Sequence, residues 1–534
     1  MSFPRLRLPA SGWKRWLALL GLSAGILILL LVLLVSGAVV ALQSPSVQRW
    51  IFEKSLAWDS PTAAELNSEP AAKPSYHGPV GEGSSLSSAT EIYRPDRFWN
   101  VGLFFSGPEW SAIQHQRVTP VENWMSSTDG SVKLRNPQAL RNGLAGVLGL
   151  DLPWSTGRVS LGGVVFTNTA VRFKGNGSYL GAMRSYRKPF KLHLSKYQKG
   201  QHWAGRSQFS LGNLSADLTC LSDTLGYEFF REAGVPAPRT AFARVFLNIE
   251  GVETNRLLGM YVMVENPDAD WARDQFGLPD VALFKPVTYE LFADLGTEWS
   301  AYDGIYDPKT PISPAQQERV MELARFVTHA SEAEFAGRIG EWFDLEAVAR
   351  FLASEVLLSN YDGFLSNGQN FLLYLEPRSN RFGFIPWDLD HSWGEFPFVG
   401  TADQRERASI WHPWIGRHRF LERLFEVEAF KERYRQELER LLGTLFVPDR
   451  LNRRIDVLAE SVRPVVAEWS ADRLAQFELA TSANWSVGLR EGNPSDPNRP
   501  VWQLKRFIAT RAENVRQQLD GKVEGVLLQR QRPW

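Results

Sequence analysis

Apolar and polar residues alternate in short runs through the first part of the chain and follow helical spacing in the second. Between residues 94 and 312, the runs GRVSLGGVVF, NTAVRFKG and RKPFKLHLS read as strands, and the second of them ends in a glycine-rich turn. After Ser313 the apolar positions recur every three or four residues, as in amphipathic helices. The pattern predicts an α+β protein with two lobes, a mostly β N-lobe at 94–312 and a mostly α C-lobe at 313–534.

A hairpin interrupts the helical second half, within residues 360–394. Its apolar runs, FLLYL and FGFI, are joined by the turn-like segment EPRSNR. The polar residues at its two ends are Asp362, Asn367, Asn370, Asp388 and Asp390. Because a hairpin brings its ends together, these groups can converge. Carboxylate and amide oxygens suit a hard cation such as Mg²⁺, which is the chemistry of a phosphate-handling site.

The N-terminal region has a different pattern, because residues 16–42 contain no charged residue and are rich in Leu, Ile and Val. This length can cross a bilayer, so we expect a transmembrane signal anchor at 16–42. Basic residues precede it, which places residues 1–15 in the cytoplasm and the rest outside. Residues 43–93 are predicted to be a flexible linker. The expected location is therefore the inner or plasma membrane, with one membrane pass.

The composition of the chain argues against some kinds of binding partner and metal site. The formal net charge is zero, which argues against bulk binding of nucleic acid. Residues 152–216 contain no Asp or Glu, whereas residues 344–395 are rich in them. The two segments could face each other across an anionic ligand with a metal, or each could be a solvated surface. The single cysteine, Cys220, excludes an intramolecular disulfide and a zinc site built on several cysteines.

A glycine-rich turn, KGNGSYLG, lies in the basic segment. Its backbone N–H groups could bind phosphate oxygens, with lysine supplying charge; a plain hairpin turn is the alternative. The candidate phosphate-binding residues in and around it are Arg172, Lys174, Gly175, Gly177, Ser178, Lys188 and Lys191.

The acidic residues also have two interpretations each. Asp362 either belongs to a turn that ends a helix or orients a hydroxyl that attacks phosphorus. Asp388 and Asp390 either hold a metal in such an enzyme or form the Asp-x-Asp motif of a sugar-nucleotide transferase.

These motifs together resemble the CotH kinase family, the spore-coat-protein-H-like atypical secretory kinases. The matching blocks include VRFKGNGSY, YRKPFKLHL, NYDGFLSNGQNFLLYL and FIPWDLDHSWG, in order, and the resemblance covers roughly residues 96–469. The chain departs mildly from the family where Gln369-Asn370 replaces the frequent His-Asn, and where Arg187-Lys188 replaces two lysines.

The resemblance implies a two-lobed, protein-kinase-like fold that binds ATP with Mg²⁺ or Mn²⁺. Matched motif by motif, Asp362 is the catalytic aspartate, Asp388 the metal-binding aspartate and Lys188 the phosphate-contacting lysine. Asn370 matches the family's amide near the metal, and Asp390 is expected to assist.

Two further residues, Glu265 and Lys285, match recurring family positions in the cleft region. The expected function is transfer of the ATP γ-phosphoryl group to Ser or Thr hydroxyls of a cell-envelope or secreted protein. The alternatives are a scaffold or adhesin of the same fold without turnover, and another metal-dependent nucleotide-using transferase.

Overall fold

Strands from the first half of the chain close into a barrel. The computed structural model describes residues 66, 70–78, 80–114, 116–117, 141–142, 145–146, 149–288, 290–366, 368–483 and 502–530. The strands are β1 (Phe98–Phe105), β2 (Gln116–Arg117), β3 (Leu150–Asp151), β4 (Ser155–Leu161), β5 (Val164–Phe173), β6 (Phe190–His193), β7 (Gln208–Gly212), β8 (Thr240–Ile249), β9 (Glu253–Glu265), β10 (Ala282–Phe284), β11 (Phe371–Glu376) and β12 (Arg381–Pro386). The barrel order is β1-β4-β5-β6-β7-β9-β8.

The barrel closes where β1 pairs in parallel with β8, while its other neighbouring strands are antiparallel. Alternate residues of β1 are buried, in agreement with the alternation in the sequence. Gly162 and Gly163 form the turn between β4 and β5, where both have positive φ, of 54° and 88°. Glycine adopts this backbone without steric cost, so the glycine pair sets the register of that hairpin.

Helices dominate after residue 313. The α-helices of the described chain, including those before residue 313, are α1 (Ala89–Ile92), α2 (Gly107–Ala112), α3 (Gly177–Leu180), α4 (Ser222–Ala233), α5 (Ala269–Phe276), α6 (Trp299–Tyr306), α7 (Pro314–His329), α8 (Glu332–Trp342), α9 (Leu345–Leu357), α10 (Ala402–Glu406), α11 (Arg419–Leu424), α12 (Glu428–Thr444), α13 (Pro448–Trp469), α14 (Ala471–Thr481) and α15 (Leu504–Leu519). The predicted start of α7 is confirmed, because Ser313 and Gln316 form a capping box.

The predicted hairpin is confirmed as β11 and β12, which pair from Phe371–Pro386 to Glu376–Arg381. With β10 they form a separate three-stranded sheet. Phe384 of β12 packs against the rings of Phe351 and Phe364, at centroid distances of 5.2 and 4.9 Å. Phe364 lies two residues after Asp362, so this aromatic cluster anchors the loop that carries Asp362 to α9 and to the hairpin.

The prediction of a two-lobed, protein-kinase-like fold is wrong, since the structure has a closed seven-stranded barrel with helices. Residues 61–531 form one compact unit that extends across the expected boundary at 312–313. The physical reason is that alternation in a strand reports which face is buried, and an open sheet and a closed barrel give the same alternation.

The membrane prediction is also corrected. None of the helices in the described ranges is long and apolar enough to cross a bilayer. The expected anchor at 16–42 lies outside those ranges. The structure therefore does not support the transmembrane element or the single-pass membrane location.

Candidate active site

The two ends of the β11–β12 hairpin lie side by side. Trp387 N–H donates to the carbonyl oxygen of Asn370 at 3.1 Å, one step beyond the last strand pair. Asn370 and Asp388 both have φ of 59°, in the left-handed region. Asn and Asp tolerate this backbone better than other non-glycine residues. The sequence therefore turns sharply at both ends of the hairpin and brings its polar groups to one place.

Asp362, Asp390 and His391 form the closest group of metal-ligand types in the described chain. One carboxylate oxygen from each aspartate and one ring nitrogen of His391 lie within 4.8 Å of one another. Asn370 Nδ2 donates to the Asp362 carboxylate at 3.1 Å and to its backbone oxygen at 2.9 Å. Asn370 therefore fixes the orientation of Asp362.

His391 is paired with Glu395 inside this acidic group. Its Nδ1 lies 2.5 Å from a carboxylate oxygen of Glu395. Burial alone would lower the pKa of His391, but Glu395 and Asp390 outweigh it and raise the pKa to about 10. Burial also raises the pKa of Asp390 well above its usual range, which His391 opposes and Asp388 reinforces. The cluster thus crowds negative charges that a bound cation would relieve.

Two site residues that sequence reasoning missed come from α4. Asp223 accepts from Leu389 N–H at 2.9 Å, and the Tyr227 hydroxyl accepts from Asp388 N–H at 2.9 Å. Burial, followed by repulsion from Asp388, raises the pKa of Asp223 to about 7. Asp223 and Tyr227 are four residues apart on one helix face, and this spacing was the signal in the sequence. Asp223 was missed because, from sequence alone, it looks like an acidic residue that stabilises the first turn of a helix.

Two lysines lie near the carboxylates, Lys174 in the wall of a shared cleft and Lys285 over the ring of Trp387. Lys174 and Lys285 lie with their Nζ atoms 6.0 and 5.4 Å from the ring centre of Trp387. Burial lowers the pKa of Lys285 to about 8, and Asp388 opposes that shift. A narrow cleft, with a cavity volume of about 20 Å³, is lined by Lys174, Ser178, Asp388 and Asp390 among others. Basic and acidic segments of the sequence therefore share one cleft, as the first of the two charge interpretations expected.

The glycine turn supplies part of that cleft. Gly175 has φ of 79°, and a Cβ there would lie 2.2 Å from the Ser178 hydroxyl. Gly177 begins α3, the short helix that presents Ser178 to the cleft. A side chain at 175 would displace Ser178, so glycine at this position shapes the cleft wall.

Arg172 and Lys191 are paired across β5 and β6, beside this wall. Lys191 Nζ donates to Asn266 Oδ1 at 2.5 Å, and Arg172 lies 5.0 Å from the ring centre of Trp154. Burial, then mutual repulsion, lowers the pKa of Lys191 well below its usual range. Burial also lowers the pKa of Arg172, to about 9. This crowding of cations would be relieved by an anion.

Lys188 and Glu265 each have a polar partner outside the acidic cluster. Lys188 Nζ donates to the carbonyl oxygen of Ser185 at 2.6 Å, and Lys188 is not among the described residues that line the cleft. Glu265 is buried in ion pairs with Arg206 and Arg239, at 3.1 and 2.6 Å. The expected hairpin residue Asn367 lies outside the described part of the chain.

Glu355, near the end of α9, is fully buried with Asn360 behind the Asp362 loop. Burial raises the pKa of Glu355 from 4.5 to about 8, opposed in part by the Asn360 amide. A carboxyl with a raised folded pKa favours folding at low pH, and that contribution is lost as the pH rises through the folded pKa. Relative to Glu355→Gln, stability should fall by about 1.4 kcal/mol per pH unit between roughly pH 5.5 and 7.5.

Urea unfolding across this pH range measures the difference. Glu346→Gln, at the exposed start of the same helix, is the matched control and should give a curve parallel to that of the unmodified chain. Parallel curves for Glu355→Gln as well would contradict a neutral Glu355.

A known protein family matches the part of the chain that carries this site. The family model described as CotH kinase protein matches residues 171–515, which is more than half of the chain. Inner spore coat protein H of Bacillus subtilis (strain 168) is 26% identical over 295 residues, covering 54% of this chain and 76% of that protein.

Two relatives come from Rhizopus delemar. Spore coat protein homolog 1 is 24% identical over 250 residues, covering 44% of this chain and 38% of its own length. Invasin CotH7 is 24% identical over 211 residues, covering 38% of this chain and 34% of its own length. The match therefore spans little more than a third of each Rhizopus protein. The match to the family model includes the glycine turn, α4, the Asp362 loop and both ends of the hairpin, and this chain belongs to the CotH kinase protein family.

Proposed function

We propose that this protein transfers the γ-phosphoryl group of ATP to a Ser or Thr hydroxyl of a protein. The observation that carries the proposal is the cleft lined by Lys174, Asp388 and Asp390, with Lys285 beside it over the ring of Trp387. Phosphoryl transfer depends on positioning the reactants and on neutralising the charge of the phosphates. This cleft offers a cation for the phosphates and carboxylates that could hold a metal ion.

The basic wall would bind the phosphates of ATP. Lys174 and Lys285 supply positive charge at the cleft, and Ser178 with the backbone of α3 lies beside them. Lys188 was expected to fill this role from the resemblance. Its ammonium group donates to the Ser185 carbonyl oxygen, whereas Lys174 lines the cleft, so Lys174 is the better candidate.

The carboxylates fit a hard divalent cation such as Mg²⁺ or Mn²⁺, because their oxygens are close together and repel one another. Asp388 and Asp390 would hold it, with an oxygen from Asn370. When bound, such an ion neutralises phosphate charge. His391, paired with Glu395, would keep its proton and limit the net negative charge of the group.

Asp362 would orient the acceptor hydroxyl and take its proton, while Asn370 holds the carboxylate in place. The hydroxyl oxygen forms a bond to the γ-phosphorus, and the bond from that phosphorus to the β,γ-bridging oxygen breaks. The products are a phosphorylated side chain and ADP, with the proton on Asp362.

The proposed acceptor is a protein of a coat or envelope layer, as the name of the Bacillus relative suggests. The test is incubation of the full chain with γ-labelled ATP, Mn²⁺ and a serine-containing acceptor. We expect label on the acceptor, lost with a chelator and with Asp388→Ala. Label that survives Asp388→Ala would overturn the site. Nucleotide binding without transfer would favour the scaffold alternative, and a product carrying another group would identify a different transferase.

A further inference from the structure

A second concave surface is lined by residues that are all different from those of the cleft. It encloses about 690 Å³ and is bordered by the loop 409–418, α11 and the first turns of α12. Pockets of this size accommodate small ligands or a few side chains of a peptide. We define it as the aromatic–acidic groove, with Trp411, His412 and Trp414 on one side and Glu422, Glu426 and Glu432 on the other.

The aromatic side of this groove presents ring faces. The His412 and Trp414 rings stack at 4.0 Å with an interplanar angle of 29°. Trp411 is 40% exposed, which is high for a tryptophan that contacts a core residue such as Tyr434. Burial lowers the pKa of His412, with Glu422 in opposition, so this ring is neutral near neutral pH. Neutral aromatic faces attract ammonium and guanidinium groups.

The acidic side has an excess of carboxylates. Glu422, Glu426, Glu428 and Glu432 line the groove together with two cations, Lys431 and Arg435. Lys431 is paired with Glu428, and Arg435 with Glu432 at 2.7 Å. Glu422 accepts from His418 N–H at 3.0 Å. Both cations are therefore already paired, and the groove carries net negative charge that a positive ligand would complement.

Trp414, which lines the groove, contains a buried polar atom. The Trp414 side chain is 5% exposed, and its indole Nε1 is buried without a hydrogen-bond partner among the residues the structure describes. A buried N–H group without an acceptor costs roughly 1–3 kcal/mol. A ligand that brings a carbonyl oxygen to this position would satisfy it. A peptide that contains Lys or Arg offers both a cationic side chain for the acidic side of the groove and carbonyl groups for the indole N–H.

The groove is joined directly to the catalytic loop. Ile415, which follows Trp414, donates its N–H to the carbonyl oxygen of Leu365 at 2.9 Å. The His418 ring packs on Phe364 at 5.2 Å. Leu365 is three residues after Asp362, so a peptide in the groove is bound to the same rigid segment that carries the proposed acceptor-orienting carboxylate.

We propose that the aromatic–acidic groove binds a Lys- or Arg-containing segment of the acceptor protein and holds it beside the active site. The docking role rests on the proposed phosphoryl transfer, whereas the binding itself does not. The basic side chains lie against Trp411 and the glutamates, and a peptide carbonyl accepts from Trp414 Nε1.

The binding test uses the full chain and a fluorescein-labelled ten-residue peptide of alternating lysine and serine, followed by fluorescence anisotropy. Trp411→Ala and Glu426→Gln should each weaken binding about two- to fivefold, as expected for an exposed cation–π contact and an exposed ion pair. Trp414→Phe, which keeps a ring but removes the N–H, should weaken it about two- to tenfold. Binding should also weaken as salt rises.

Matched controls separate the groove from other acids. Glu298→Gln, an exposed glutamate at the start of α6, should leave affinity unchanged. Thermal unfolding of each variant checks that it is folded. If Trp414→Phe does not fold, Trp411→Ala and Glu426→Gln still test the proposal, because both side chains are exposed and their loss should not disturb the core. The proposal is overturned if a peptide of alternating glutamate and serine binds equally well, or if the groove variants bind like the unmodified chain. It is also overturned if Trp411→Ala changes the oligomeric state without peptide, because a second copy would then be the occupant.

The link to phosphoryl transfer is measured with the same peptide as acceptor. Groove variants should raise its KM with kcat unchanged, because they remove binding and leave the chemical groups in place. Peptide binding that depends on the groove, with no phosphoryl transfer by the unmodified chain, would refute the proposed function and leave the binding site intact. Transfer with a KM that is insensitive to the groove would refute docking and leave the function intact.

Discussion

Asp362→Asn should lower the kcat of phosphoryl transfer by about 10²- to 10⁴-fold, which is the range for loss of a positioned general base. Asparagine keeps the shape of the side chain and can still accept from Asn370 Nδ2, so the loop should hold its conformation. It cannot take a proton from the acceptor hydroxyl. Single-turnover transfer of label from γ-labelled ATP measures the effect.

The nucleotide affinity of this variant should stay within about twofold of that of the unmodified chain. Lys174 and Lys285, which would neutralise most of the phosphate charge, are unchanged. Asp303→Asn, an exposed aspartate in α6, is the control for loss of a carboxylate in itself. Transfer at the unmodified rate by Asp362→Asn would remove this residue from the proposed chemistry. Loss of nucleotide binding together with transfer would instead assign Asp362 to the phosphate site.

Glu265→Gln should lower the free energy of unfolding by about 3–5 kcal/mol, the usual cost of breaking a buried ion pair from one side. Glu265 is 1% exposed and accepts hydrogen bonds from Arg206 and from both the side chain and backbone of Arg239. Without the carboxylate, Arg239 loses its ion pair, and Arg206 keeps only its pair with the exposed Asp274, at 2.5 Å. Arg206 is itself 4% exposed, so water cannot compensate fully.

Urea unfolding of Glu265→Gln and of Glu334→Gln measures this effect. Glu334 pairs with Arg338 on the exposed face of α8, at 2.9 Å, and its loss should cost no more than about 0.5 kcal/mol. The resemblance placed Glu265 in the cleft region, which predicts a different result. An unchanged unfolding midpoint with lost nucleotide affinity would support that placement and contradict the structural role.

The hairpin and its carboxylates were predictable because their interactions are local. FLLYL and FGFI are joined by a short turn, so pairing of Phe371 with Pro386 follows from the chain itself. Helix ends were predictable for the same reason. Ser313 with Gln316 caps α7, and Gly234 ends α4 in a left-handed conformation with φ of 88°.

The partners of charged residues were not predictable from local pattern. Asp223 meets Leu389 N–H across 166 positions of sequence, and Glu265 meets Arg206 across 59. Lys188 has the motif context of a phosphate-binding lysine, yet its Nζ bonds to a carbonyl oxygen three residues away. Spacing within a motif restricts which residues share a face, but it does not say what packs against that face.

The sequence by itself determined the family, the change from a mostly β first half to a mostly α second half, and the hairpin that carries Asp362, Asn370, Asp388 and Asp390 at its ends. It also excluded an intramolecular disulfide, since one cysteine is present. Only the tertiary structure decided that the strands close into a barrel, because closure depends on the pairing of β1 with β8, more than a hundred residues away. It also decided which lysines lie near the carboxylates, because burial and through-space charge set those neighbours and local periodicity does not encode them.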